Sequence, residues 1–414
     1  MASVCFYFQV HQPFRIKRYQ LFDIGNNSDY FNDESNTKLN NRNILNKVAG
    51  KCYLPANAVM LELLQKYPEF KISYSFSGVF LEQLEIYSPE TLESFKKLVD
   101  TGRVEILSET FYHSLSFLYS KDEFQSQVKL HAKKVKELFG VVPTAFRNTE
   151  LIYNNELATV VESMGYKAIL AEGADHVLGW QSPNFLYQPK GTKKIKLLLK
   201  NYRLSDDIAF RFSSKDWTEH PLTAPKFANW VSQVNGNGDV VNLFMDYETF
   251  GEHQWEDTGI FNFLRALPEE ILKNPDNNFM TPTEVAKKYP ARGELDVHNF
   301  VSWADVERDL SAWLSNSMQH EAAHKLYELE KQVLKTKDPV LLRDWRRLQT
   351  SDHFYYMCTK WFNDGDVHKY FNPYESPYDA FISFMNVLND MKLRLATSAK
   401  KGYKKGIIKN KPKK

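Results

Sequence analysis

Acidic and imidazole side chains recur at the ends of the apolar runs in this sequence. His11 and Gln12 close the run Val4–Val10. Glu105 lies inside Arg103–Ser108, Glu109 ends it, and His113 follows. Glu150 comes after Thr144–Thr149 and Glu172 after Lys167–Ala171. Asp246 ends Val240–Asp246 and is followed by Glu248, Glu252 and His253. Strand ends are commonly polar, so one such residue means little. All of them on one rim would gather carboxylates in a cleft, where they raise each other's pKa and an acid and a base can coexist near neutral pH. Paired carboxylates with many aromatic rings suit glycoside chemistry, because sugar rings stack their C–H faces on aromatic faces. The chain has 29 Phe, 22 Tyr and 8 Trp. Most of these fill a core. Tyr112, Trp180, Trp217, Tyr247 and Trp255 lie near the acidic positions and are the better candidates for sugar contact.

The elements that must position these groups alternate. Lys71–Ser77 and Lys196–Lys200 bring the apolar runs to seven. Between the runs lie amphipathic stretches at Pro55–Tyr67, Pro89–Thr101, Lys121–Phe139 and Asn154–Met164. In Lys121–Phe139 the residues Phe124, Val128, His131, Val135 and Leu138 share one helical face. Apolar strands separated by helices predict a parallel sheet covered on both faces, and seven of them predict a closed or nearly closed barrel. The active site of such a fold forms at the carboxyl ends of its strands. The barrel is expected over residues 1–273, with Asn26–Asn46 as a polar surface insertion and 274–301 as a Pro- and Asn-rich connector. Helices are expected at Ser302–Asn316, Ser317–Lys337, Pro339–Asn363 and Ser376–Leu395, giving a helical bundle over 302–396 that completes the cleft. The Lys-rich stretch 397–414 reads as a solvated, disordered tail.

The chain of 414 residues has 53 Lys+Arg against 51 Asp+Glu. Residues 400–414 carry eight lysines and no acid, so the body is net negative, which argues against a nucleic-acid partner. Cys5, Cys52 and Cys358 are odd in number and far apart, which implies a reducing compartment and no disulfide framework. No apolar run is long enough to span a membrane, and the first residues read as a strand rather than a signal peptide. A cytoplasmic location is expected.

Five segments, in order, resemble glycoside hydrolase family 57, the family of retaining α-amylases, α-glucanotransferases and branching enzymes. They are His11-Gln12-Pro13, Gly102-Arg103-Val104-Glu105, Arg147-Asn148-Thr149-Glu150, the run Asp246-Tyr247-Glu248-Thr249-Phe250-Gly251-Glu252-His253, and Ser351-Asp352-His353-Phe354-Tyr355. The resemblance implies an incomplete seven-stranded barrel followed by a helical bundle, in agreement with the independent reading. It implies Glu150 as nucleophile and Asp246 as acid/base in a double displacement at α-1,4-glucosidic bonds. It implies sugar contacts from His11, Glu105, His113, Arg147, Glu248, His253, Asp352 and Tyr355, and Trp180 is added as an aromatic close to a strand-end acid. No cofactor or metal is expected. The chain departs from the common family pattern at Gln9, where many members have His, and at Arg147 and Tyr355, where many have Trp. The run Asp246–His253 and the short chain look most like the α-amylase-type members, which cut inside the glucan chain. A 4-α-glucanotransferase would share every catalytic residue.

Rival readings exist. His320-Glu321-Ala322-Ala323-His324 is a literal H-E-x-x-H on an expected helix, the arrangement of zinc peptidases. Tyr327 stands where the longer metzincin motif needs Gly, and a charged helix surface explains the run equally well. A polysaccharide deacetylase would need His11, His113 and His253 to converge on a metal, and the barrel half lacks the usual H-x-x-x-H pair. A non-catalytic glucan-binding protein would have no need of both carboxylates.

Overall fold

The computed structural model describes residues 2–31, 33–360 and 367–409, with side chains through residue 398. The chain divides into two compact units. The first comprises residues 1–12, 45–111 and 124–310, and the second residues 13–44, 112–123 and 311–414.

In the first unit seven parallel strands follow one another around an incomplete barrel: β1 (Ser3–Val10), β2 (Ile72–Phe76), β3 (Val104–Ile106), β4 (Ala145–Arg147), β5 (Ala168–Glu172), β6 (Lys196–Lys200) and β7 (Val240–Asp246). One sheet runs β3-β2-β1-β7 and another β4-β5-β6. The sheets meet twice: through the single bridge Ser108–Phe146, and through the Asn201 N–H to Asn242 carbonyl bond of 2.9 Å. Those two thin joints are what make the barrel incomplete. The strands agree with the seven expected runs to within a few residues, because most of the runs are apolar enough to be buried on both faces. All of β1 is buried. Its outer residues Phe6 and Phe8 stack at 5.6 Å, while Cys5 and Tyr7 join Leu107, Ala145, Leu170, Leu198 and Phe244 in the barrel interior.

Register then decides height. Gln9 pairs with Ser75 and with Asp246, so these three form one row at the carboxyl ends. Tyr7, Ser73 and Glu105 form the inward row two residues lower, about 7 Å nearer the amino ends.

The stretch 274–301 is folded into the first unit: Asn278–Phe279 pairs with β1, Pro282–Lys288 is a helix, and Glu294–Leu295 pairs with Gln188–Pro189. Thr281 and Glu284 form a reciprocal cap with Pro282 at the first helical position, which is why this Pro-rich segment starts a helix. Residues 302–316 form turns and not the expected helix. Asp305 and Arg308 take positive φ, and Ser302 turns its N–H to the Arg308 carbonyl (3.1 Å) and its hydroxyl to that of Asp309 (2.6 Å).

In the second unit the helices are Ser317–Glu328, Glu330–Thr336, Pro339–Arg347, Ser351–Tyr355, Val367–Phe371 and Pro377–Lys409. The expected helix Ser317–Lys337 is thus broken at Leu329. Pro339–Asn363 is two shorter helices, and its last three residues lie outside the described residues. The last helix continues into the stretch expected to be a disordered tail, whose Ala and Lys residues favour helix. Residues 410–414 lie outside the described residues. The segment expected as a surface insertion contributes buried Tyr30, Phe31 and Leu39 to this unit. Arg394 donates to the Tyr30 hydroxyl at 2.8 Å, and Arg346 grips Glu123 with two bonds of 2.8 and 3.0 Å.

Candidate active site

Glu150 owes its position to a strained turn. After β4 the chain makes a single 3-10 turn, Thr149–Leu151, in which Glu150 lies at φ 57°, ψ 23° and Leu151 also has positive φ. Non-glycine residues rarely adopt this left-handed region, and it persists only where the surroundings enforce it. Asn148 closes the turn by donating to the Ile152 carbonyl at 3.0 Å, and the hydroxyls of Thr149 and Thr110 bond at 2.9 Å. The half-buried Glu150 carboxylate accepts the indole N–H of Trp303 at 2.9 Å.

Asp246 ends β7 and is half-buried. The chain turns sharply after it, through Tyr247–Thr249 and Gly251. Gly251 has φ 117°, and a Cβ there would collide with the Lys51 carbonyl, so only glycine lets the turn close. Tyr247 is buried and donates to Asn57 at 2.8 Å, so it belongs to the core. Glu248 is buried beside Asp246 and bonds the Tyr53 hydroxyl. Burial, and secondly the Asp246 charge, push its pKa up to about 8, so it is a neutral acid at pH 7. His253 hangs from the same turn by its N–H to the Glu248 carbonyl at 2.9 Å. Burial lowers its pKa to about 4 against the opposing charge of Glu252, so its ring is neutral near pH 7. His11, past the end of β1, bonds Ser77, past the end of β2, at 2.6 Å.

A buried polar network runs from β1 to Arg147 at the end of β4. The Tyr7 hydroxyl meets Gln9 at 2.8 Å and Ser75 at 2.6 Å, and Gln9 donates to Glu109 at 3.3 Å. Glu109 faces Arg147 at 3.9 Å, and both side chains are fully buried. The Arg147 guanidinium lies 5.9 Å from the Tyr7 ring centre and 5.4 Å from that of Trp303. Burial raises the Tyr7 pKa above the usual phenol range, and the charges of Glu109 and Asp246 add to that while Arg147 opposes it. The Asp246 charge thus reaches Tyr7, and Arg147 lies between Tyr7 and the Trp303 that bonds Glu150. Among the described residues none of the three guanidinium nitrogens has a hydrogen-bond acceptor, an unusual state for a buried cation. A second charged group sits at the ends of β5 and β6. Lys200 meets Asp206 at 3.0 Å and Glu172 at 3.8 Å, and Arg308 meets Glu172 at 3.6 Å and Asp206 at 3.5 Å.

Two expectations, Glu105 and Arg147, need correction, and Trp180 stands apart from the other groups. Glu105 is in the lower row, and both its oxygens are taken by the N–H (3.0 Å) and hydroxyl of Thr283. It lines a small cavity with Lys71, Thr144, Thr281 and Glu284 at the amino ends of the strands, because the two-residue strand period sets it below the rim. Arg147 is sealed behind the cleft and so touches Glu109, Tyr7 and Trp303 in place of a sugar. Trp180 is 94% exposed just after the short helix Asp175–Leu178 and joins none of the groups above. His113, Asp352 and Tyr355 belong to the second unit. There the His113 carbonyl accepts the Ser351 N–H at 2.9 Å, so His113 and the Asp352 helix are neighbours, and Tyr355 stacks on His368 at 4.4 Å. His320, Glu321 and His324 lie on the exposed face of their helix, with His324 on Glu328 at 3.0 Å and Lys325 on Glu321 at 3.6 Å. No cluster of three metal-ligating side chains occurs among the described residues. The sequence reading did not single out Tyr7, Lys200, Trp303 or Arg308. Trp303 and Arg308 fall in a stretch that reads as a helix, and Tyr7 and Lys200 lie inside apolar runs, so no local signal marked them.

The family model of glycosyl hydrolase family 57 matches residues 5–298, most of the first unit. The chain belongs to that family. A Methanocaldococcus jannaschii protein described as "Putative alpha-amylase" is 45% identical over 400 residues, covering 94% of this chain and 83% of its own length. An alpha-amylase of Pyrococcus furiosus is 24% identical over 250 residues, covering 59% of this chain and 36% of its own. The crystal structure of 4-alpha-glucanotransferase from Thermococcus litoralis superposes with a TM-score of 0.57 at 18% identity, covering 90% of this chain and 54% of that one. This chain thus spans about a third to a half of those two larger proteins, and the superposition speaks to the fold alone. The α/β fold with parallel sheets and a C-terminal helical region is that of the family. No described helix is long and apolar enough to cross a membrane.

Proposed function

We propose that this chain is a retaining glycosidase of the α-amylase type, cutting α-1,4-glucosidic bonds inside starch, glycogen or malto-oligosaccharide chains. Family membership and the names of the two alpha-amylase relatives support the substrate class. The observation that carries the reading is the pair of half-buried carboxylates at strand ends, Glu150 and Asp246, whose surroundings meet at Tyr7 and Arg147. Glu150 attacks the anomeric carbon, and Asp246 protonates the departing oxygen. Asp246 then takes a proton from the incoming water, which releases the sugar with its configuration retained. The neutral Glu248 and His253 and the partly buried His11 line the rim with hydrogen-bonding groups for sugar hydroxyls. The three buried unpaired cysteines suit work in a reducing cytoplasm.

The glucanotransferase among the related structures favours one alternative, transfer to a second glucan in place of water. Maltoheptaose separates the two. Hydrolysis gives new reducing ends whose first-formed anomer is α by NMR. Transfer redistributes chain lengths at constant reducing power. A β-anomer as first product would overturn the double displacement.

A further inference from the structure

The loop 302–309 does more than connect. It is anchored before it begins, where Tyr153 and Val301 exchange backbone bonds of 2.9 and 3.0 Å just beyond the Glu150 turn. Trp303 then reaches Glu150 twice, with its backbone N–H on the Glu150 carbonyl at 3.3 Å and its indole N–H on Oε2 at 2.9 Å. The indole rests on the barrel's interior core, with the Arg147 guanidinium 5.4 Å and the Lys200 ammonium 5.5 Å from its ring centre. Cations attract the electron-rich face of an indole, and more strongly when shielded from water. Arg308 fixes the far end of the loop, bonding back to the Trp303 carbonyl and pairing with Glu172 and Asp206. One short loop therefore ties the strained Glu150 turn to the charged group at the ends of β5 and β6.

We infer that Trp303 is a positioning residue for the nucleophile: its indole N–H holds Oε2 of Glu150 and directs Oε1 at the anomeric carbon. The inference rests on the functional reading above. In the first step the Oε1–C1 bond forms as the glycosidic C1–O bond breaks, and the departing oxygen takes its electron pair and the Asp246 proton. In the second, a water oxygen bonds C1, its proton passes to Asp246, and the C1–Oε1 pair returns to Glu150. Oε2 is a neutral carbonyl oxygen in the covalent intermediate and shares the carboxylate charge with Oε1 before and after it. Hydrogen bonds to charged acceptors are the stronger ones, so the indole N–H stabilises the departing carboxylate and favours breakdown of the intermediate.

The test replaces only the N–H. Incorporating benzothienylalanine at position 303 keeps the fused ring and puts sulfur where the N–H was, and Trp303→Phe is the cruder companion. The full chain is assayed on maltoheptaose, with thermal melting as the check on folding. The expected result is a fall in kcat of about 10- to 100-fold with KM unchanged or lowered, as befits a lost hydrogen bond to a charged group and a slower second step. The benzothienyl variant should also accumulate glycosyl-enzyme on Glu150, visible as an added mass after a rapid acid quench. Wild-type kcat and no accumulation in a folded benzothienyl variant would overturn the assignment of Trp303. Normal turnover by Glu150→Gln would show instead that the functional reading itself is wrong.

Discussion

The two ends of the barrel use the same residue types to opposite effect. At the amino ends, Glu105 accepts from both the N–H and the hydroxyl of Thr283, and Lys71 meets Glu284 at 2.5 Å. Burial raises the Glu105 pKa, and the bonds from Thr283 counter it. At the carboxyl ends, Arg147 has no hydrogen-bond acceptor among the described residues, Oε2 of Glu172 has no donor there, and Glu150 sits in a left-handed turn. Glu248 is neutral at pH 7. A buried polar group with its partners in place is part of the scaffold. One kept buried, strained or short of partners lowers stability, and such groups concentrate where a protein does its work. The contrast agrees with the strand-end rule in favouring the carboxyl ends as the candidate site.

The largest effect that could break this contrast comes from the two rim carboxylates. Glu150→Gln and Asp246→Asn should each lower kcat on maltoheptaose by on the order of 10³-fold or more, with melting temperature nearly unchanged. Near-normal turnover by either variant would remove that residue from the chemistry.

Much of this was legible in the sequence. The seven strands were visible because each is an apolar run bounded by turn residues, and Lys196–Lys200 and Val240–Asp246 were bounded to the residue. The acidic strand ends followed from where active sites form in parallel barrels. Height within the barrel was less legible. Glu105 lies inside its run in the sequence, but only the register of β2 with β3 sets it in the row of Tyr7 and Ser73, below the rim. The stretch 302–316 reads as a helix in sequence, so nothing local showed that Trp303 would sit in a turn and fold back on a residue 153 positions earlier. By average composition the polar run at 26–46 reads as surface and the Pro-rich run at 274–301 as a linker. A few residues in each, such as Tyr30, Leu39 and Phe279, are buried and decide its place.

Two variants sharpen the comparison through stability. Glu248 has a folded pKa of about 8 against 4.5 for the ordinary group. The folded state therefore keeps this proton while the unfolded chain loses it, and stability from this group falls as pH rises from about 4.5 to about 8, then levels off. Glu248→Gln should flatten that slope, with a gain over wild type on the order of a few kcal/mol at pH 8 and little at pH 4. Denaturant melts at several pH values test it, and parallel curves for the two proteins would mean that Glu248 is not held neutral. Glu105→Ala is the counterpart at the other end. It leaves the Thr283 N–H and hydroxyl without their acceptor and should cost about 1–3 kcal/mol of stability. kcat of the folded protein should be unchanged, and a large fall in kcat would return Glu105 to the site.

The smallest effect belongs to His320-Glu321-Ala322-Ala323-His324. A zinc site needs both imidazoles to face one point with a third ligand near it. Here His324 has 70% of its side chain exposed and leans on Glu328 one turn along, and Glu321 leans on Lys325. The buried members of the run are its alanines, Ala322 and Ala323, which turn the histidines outward. Exposed pairs one helical turn apart contribute about 0.3–0.5 kcal/mol. His320→Ala with His324→Ala should therefore shift stability by no more than about 0.5 kcal/mol and leave hydrolysis of maltoheptaose unchanged, with or without a strong chelator. Loss of activity in the double variant, restored by added zinc, would assign a metal role to a helix face that the packing gives only to solvent.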